Sequence, residues 1–347
     1  MDGRIEDQIK TEDKIQADIS SLNHYISDYY YSLGSSRKSH MTKLRYVQIL
    51  THFLSFYSNI LGKNVSELTD EEICGVNTEM IDRYLNQSSW KGTGANRKPV
   101  SPSTISLKIS VINSFYDFLY RREIISRNPC GDKIERPKQA EIKDVVYLTP
   151  EEINIVVNNI KSGYGSELAK TKQEKMKYRD LLLFLIPIYT GLRVTALKEI
   201  NISDLFLEEN YIMATDKGNK TKEHYINDDI KKILFLWLNE RNKILGETPC
   251  DALFISNRKQ RMSYGAIKKI VIKFTQGIDK KITPHKLRAT CATTLLAATN
   301  DIYLVANVLG HSSTEPTKRY AALDKERLLS VPKILDVQIN KSVKEES

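Results

Sequence analysis

The chain has 347 residues, 41% of them hydrophobic and 27% charged. That length fits two domains of ordinary size, and that apolar content excludes wholesale disorder. The 52 basic and 43 acidic residues leave a formal charge of +9, which points to a polyanionic partner: nucleic acid first, an anionic membrane surface second, against the plain alternative of a lysine-rich solvated surface. Cys74, Cys130, Cys250 and Cys291 form no CxxC pair, so neither a zinc site nor a disulfide framework is expected and the chain reads as cytoplasmic. No apolar run is long enough to span a bilayer, and the N-terminus lacks signal-peptide character.

Residues 1–20 are polar and slightly acidic and read as an N-terminal tail, a short helix or a loose segment. Residues 21–130 read as an all-helical domain without strands. Leu44, Val47, Leu50, Leu54 and Tyr57 fall at helical spacing. Thr69 precedes a run of acids that suits a helix N-terminus. A Gly/Ser/Pro-rich loop covers 86–103. The next helix takes Ser103 as its cap and shows an apolar face of Ile105, Ile109, Ile112, Phe115, Phe118 and Leu119. Pro129, Gly131 and Pro137, set among charges, mark a linker at 131–146.

A second domain is expected over 147–330. Thr149-Pro150 opens a helix. "LLLFLIPIYTGL" reads as a buried core helix. "YIMAT" and "EHYIN" flank a turn built on Gly218 and Asn219, a hairpin with a basic tip at Lys217, Lys220 and Lys222. "ALFIS" at 252–256 reads as a short edge strand. The fold class is therefore mainly α with a small antiparallel β-sheet. Between Arg258 and Arg288 stand ten basic residues against one acid, Asp279. That stretch alone carries a charge equal to the excess of the whole chain. Arg258, Lys259, Arg261, Lys268 and Lys269, with Lys220 and Lys222 of the hairpin, are the candidate DNA-contacting residues.

Four separated motifs bear on chemistry. In "TPHKLR", Thr283 and Pro284 open a helix that puts His285 and Arg288 three residues apart near its N-terminus, where free N–H groups favour an anion. In "TGLR", Arg193 sits in an apolar setting and needs a partner, a substrate phosphate or a distant carboxylate. "VLGHSS" carries His311 after a helix end, and Tyr320 follows nine residues later in "TKRY". Each has a plain structural reading: a capping histidine, an ordinary ion pair, a satisfied histidine, a half-buried aromatic.

Their order and interval, however, resemble those of the tyrosine recombinase (phage integrase) family, in particular Xer-type enzymes and compact mobile-element integrases. The resemblance implies a helical core-binding domain that clamps DNA and a mixed α/β catalytic domain. It implies a site-specific recombinase in which Tyr320 attacks the scissile phosphate, leaving a 3′-phosphotyrosyl link and a free 5′-hydroxyl. Arg193 and Arg288 would hold the non-bridging oxygens. His285 would take or shuttle the tyrosine proton, His311 would donate a hydrogen bond to the phosphate, and the hairpin lysine, Lys217 by family position, would protonate the leaving oxygen. No cofactor, metal or ATP is implied. The implied partners are double-stranded DNA with inverted-repeat core sites and further copies of the chain: a dimer on one site, a tetramer in synapsis, with residues 331–347 docking in trans. The family's usual acid three residues past the first arginine is here Ala196, and Glu199 is a poor stand-in. A catalytically inactive DNA-binding regulator, a monomeric type IB topoisomerase and a metal-dependent nuclease are the competing readings.

Overall fold

The computed structural model describes residues 3–310, apart from 21, 35–38, 132–133, 139–144 and 217–219, and divides the chain into two compact units, residues 1–141 and 142–347. His311, Tyr320, Lys217 and the segment 331–347 lie outside the described residues.

The first unit is built from helices α1 (Gly3–Ile19), α2 (His24–Ser32), α3 (His40–Leu61), α4 (Asp70–Cys74), α5 (Thr78–Gln87) and α6 (Pro102–Arg121). The apolar stripe of α3 is buried as its spacing requires: Val47, Leu50, Phe53 and Leu54 have no exposed surface, and they meet Ile112, Phe115 and Leu119 of α6 in one core. Thr69 caps α4 through a reciprocal pair with Glu72. Residues 3–19 take the helical one of the two forms expected, because Ile15 and Ile19, one turn apart, are buried in this core. Two points differ from the sequence reading. The cap of α6 is Ser101, whose hydroxyl accepts the Thr104 N–H, with Pro102 opening the helix. The loop at 86–103 contains a two-stranded antiparallel ribbon, β1 (Trp90–Lys91) and β2 (Lys98–Pro99).

The second unit contains α7 (Pro150–Ser162), α8 (Glu167–Glu174), α9 (Lys177–Thr190), the short α10 (Val194–Leu197), β3 (Leu205–Phe206), β4 (Tyr211–Asp216), β5 (Lys220–Tyr225), α11 (Asp228–Leu245), α12 (Tyr264–Phe274), α13 (Pro284–Thr299) and α14 (Ile302–Val308). Helix α9 is central: α7, α10, α11, α12 and α13 all pack on it. Leu181 through Pro187 are buried without interruption, which is why the sequence shows an apolar run here rather than a stripe. Thr149 caps α7 in a reciprocal pair with Glu152. Lys280 ties this start to the segment before α13, donating to the Glu152 carboxylate at 2.8 Å and to the Tyr147 carbonyl at 3.3 Å.

The strands form one antiparallel sheet in the order β3-β4-β5, with Ile212 opposite His224 and Ala214 opposite Lys222. Alternation decides the faces. Ile212, Ala214, His224 and Ile226 are buried, whereas Thr221, Glu223 and Tyr225 are exposed. The segment 252–256 makes isolated bridges to Asn201 and Arg261 in place of a strand. It is held instead by side chains of α11: Trp237 donates to the Leu253 carbonyl and Arg241 to those of Cys250 and Ala252.

Candidate active site

The site begins at the end of α9. Gly191 adopts a left-handed conformation (φ 66°) and caps the helix, its N–H bonding the Pro187 carbonyl. The Thr190 hydroxyl donates to the Ile186 carbonyl and accepts the Leu192 N–H, and the Leu192 side chain is buried. The chain thus turns sharply and delivers Arg193, half-buried, as the residue that starts α10. Glycine is required twice over. A Cβ at 191 would lie 2.8 Å from the Leu309 side chain and 3.4 Å from the Cys291 sulfur, and the positive φ disfavours any other residue.

Helix α13 lies against this turn. His285, its second residue, is exposed, and Arg288, one turn on, is 3% exposed. The Arg288 guanidinium donates to the Gly191 carbonyl at 2.5 Å and to the Leu309 carbonyl. Leu309 caps α14 and is buried, and Gly310 then turns with φ 61°. One side chain therefore joins the turn that presents Arg193 to the turn that leads into His311. Both acceptors are main-chain carbonyls, which match the donor fork of the guanidinium. Cys291 is no competing nucleophile: burial pushes its thiol up to about 11, against the opposing pull of Arg288.

Two of the described acids near these motifs have ion-pair partners of their own. Asp180 is buried in an ion pair with Arg179 at 2.7 Å. Ala196 is buried as an apolar contact. Glu199, 8% exposed, lies 2.5 Å from Lys198 and 3.7 Å from Arg261. Arg261 is turned inward, donating to the carbonyls of Lys198 and Ile200 and to the Asn201 side chain. Of the other basic candidates, Arg258, Lys259, Lys268 and Lys269 are exposed, the Lys259 ammonium bonding the Leu245 carbonyl at 3.2 Å. The Lys220 side chain lies outside the described ones, and Lys222 is hydrogen-bonded to Asn307. Asn307 and the carbonyl partners of Arg288 escaped the sequence reading, because main-chain acceptors leave no residue signature. Among the described residues, no three or more His, Cys, Asp or Glu side chains converge as a metal site needs, and no helix is long and apolar enough to cross a membrane.

His285 and Arg288 thus stand on the first turn of α13, and Arg288 ties together the turn before Arg193 and the turn after α14, in a helical unit with a small antiparallel sheet. The chain belongs to the phage integrase family: its model matches residues 147–327, and the family's N-terminal SAM-like domain matches residues 26–123. It is 28% identical over 333 residues to a tyrosine recombinase XerC of Caldanaerobacter subterraneus subsp. tengcongensis, covering 86% of this chain and 90% of that protein. It is 27% identical over 349 residues to a tyrosine recombinase XerS of Lactococcus lactis subsp. cremoris, covering 92% and 98%. Among solved structures, its fold is similar to that of the XerH site-specific recombinase in a post-cleavage complex with palindromic difH substrate, with TM-score 0.65 and 21% identity over 85% of this chain and 81% of that one. It is also similar to the Tn1549 transposon integrase in complex with transposon right-end DNA, with TM-score 0.62 and 18% identity over 88% and 98%. The chain is accordingly a tyrosine-type site-specific recombinase, and the regulator and topoisomerase readings are not favoured.

Proposed function

We propose that this recombinase acts in the cytoplasm on double-stranded DNA carrying inverted-repeat core sites, and that it cuts and rejoins one strand at a time through a 3′-phosphotyrosyl link. Tyr320 is the nucleophile. The bond energy of the phosphodiester is kept in the link, so rejoining needs no ATP. Arg193 and Arg288 bear on the negative charge that grows on the non-bridging oxygens in the transition state. His285, exposed at the start of α13, relays the tyrosine proton, His311 donates to the phosphate, and Lys217 protonates the departing 5′-oxygen. Charge compensation by two planar forks is enough for this chemistry without a metal ion. Arg258, Lys259, Lys268 and Lys269 grip the phosphate backbone, and residues 21–130 also clamp the DNA.

The observation that carries this reading is the bonding of Arg288 to both Gly191 and Leu309, which draws three motifs far apart in sequence onto one spot. A duplex with a nick beside the cut site loses a short fragment after cleavage and cannot be resealed. Wild-type protein mixed with it in EDTA should give an SDS-resistant protein–DNA adduct, and Tyr320→Phe should bind the same DNA without forming one. An adduct with the Phe variant would refute the assignment, and loss of the adduct in EDTA would return the metal-dependent reading.

A further inference from the structure

We propose that Lys222 is a positioning residue, which docks the β4–β5 hairpin onto the last turn of α14 and so fixes where Lys217 is presented; this rests on the reaction proposed above. The argument begins with the sheet. In β5, alternation places Lys222 on the same face as His224 and Ile226, both buried, while Thr221 and Glu223 on either side are exposed. Lys222 itself is half-buried, its stem laid along that face. Its cross-strand partner is Ala214, whose small side chain leaves room for the lysine stem. The ammonium then reaches Asn307, donating to its carbonyl at 2.5 Å and to its side-chain oxygen at 3.2 Å.

Asn307 is well placed for such an anchor. Its carbonyl also accepts the Gly310 N–H at 2.9 Å, and Leu309, two residues on, gives its carbonyl to Arg288. The hairpin, the turn into His311, the Arg288 guanidinium and the turn that presents Arg193 therefore form one hydrogen-bonded frame. Beyond its pairing with β3 at Tyr211 and Ile212, the β4–β5 hairpin runs on as a two-stranded ribbon with little stiffness of its own, and proton transfer to a leaving group falls off steeply when the donor is displaced by about 1 Å. Fastening the ribbon five residues from Lys217 meets that need. Lys222 is spent on neutral oxygens and serves the reaction through the lysine it positions.

The test uses the full-length protein and two nicked duplexes, one with the natural phosphodiester and one with a 5′-bridging sulfur, whose leaving thiolate needs no protonation. Adduct formation is timed in single turnovers. Lys222→Met keeps the stem and removes the charge. Lys222→Arg keeps two donors for Asn307 but holds its proton too tightly to transfer it. Because general acids contribute roughly 10²- to 10⁴-fold, Lys222→Met should be slower than wild type by at least about tenfold on the phosphodiester, and within about threefold of it on the sulfur substrate. Lys222→Arg should stay within about threefold of wild type on both. Recovery on the sulfur substrate also shows that the Met variant is folded. An equal defect of Lys222→Met on both substrates would mean that Lys222 grips DNA. A Lys222→Arg variant as slow as Lys222→Met would make Lys222 itself the proton donor, and a Met variant as fast as wild type would make the anchor idle. Each result overturns the proposal. Absence of any adduct with wild-type protein would instead overturn the reaction on which it rests.

Discussion

Replacing Arg288 by lysine keeps the charge and removes the fork. In the native site the guanidinium spans two carbonyls, those of Gly191 and Leu309, on a side chain 3% exposed. An ammonium is a compact donor and reaches one of them. The other carbonyl is left buried, at a cost of about 1–3 kcal/mol. For a unit of this size each kcal/mol lowers the unfolding midpoint by roughly 2–4 °C, so Arg288→Lys should melt roughly 2–12 °C lower. Loss of a fork aimed at the transition state adds about 3–4 kcal/mol to the barrier, or roughly two to three decades in rate. Arg288→Ala frees both carbonyls but also removes a buried charge, so its stability loss should be less than twice that of the lysine variant. The assay pairs a calorimetric scan with single-turnover adduct formation and half-site binding. Cleavage should fall far more than binding in both variants. An unchanged midpoint in Arg288→Lys would refute the structural role of the fork, and equal losses in binding and cleavage would refute the catalytic one.

Gly191→Ala places a methyl 2.8 Å from the Leu309 side chain at φ 66°; left-handed strain and overpacking together should destabilise the unit by about 2–5 kcal/mol, read as a lower midpoint in urea, and a neutral effect would mean the two turns are not in firm contact. Lys217→Ala should lose cleavage on the phosphodiester and recover it on the 5′-bridging sulfur substrate; recovery by Lys220→Ala instead would move the proton donor along the hairpin. Deleting residues 333–347 should leave half-site binding intact while weakening cooperative binding of a second protomer and strand exchange, both visible in gel shifts; a truncated protein that recombines at the wild-type rate would exclude docking of that segment in trans.

How much of this was legible in the sequence varied with the kind of interaction. Helix α9 announced itself because a helix buried on all sides must be apolar on all sides. Thr149 and Pro150 announced the start of α7 because capping is local chemistry. The helical α1 was less visible, since Ile15 and Ile19, its buried apolar residues among the described side chains, stand in a polar segment. The ribbon at 90–99 has strands of two residues, too short for alternation to register. Arg193, His285 and Arg288 were singled out by an order of motifs that resembles the family's, whereas what holds them in place was not readable. The carbonyls that hold Arg288 belong to residues 97 and 21 positions away, and a carbonyl is common to every residue. Arg261 shows the reverse case. It stands in a basic run that reads as a solvated face, yet the structure turns it inward onto Glu199, Lys198, Ile200 and Asn201. Composition records the charge of such a run but not the direction each side chain takes.

The central claim is that Tyr320 carries the DNA during the reaction, and mass spectrometry of the trapped adduct tests it most directly. After nuclease treatment, trypsin cuts behind Arg319 and Lys325 and releases the peptide Tyr320–Lys325, which contains one tyrosine. The account predicts that this peptide bears the mass of the residual 3′-linked nucleotide, with fragment ions placing it on the first residue. A nucleotide found on Tyr303, which is 75% exposed on α14, or on any other side chain would contradict it.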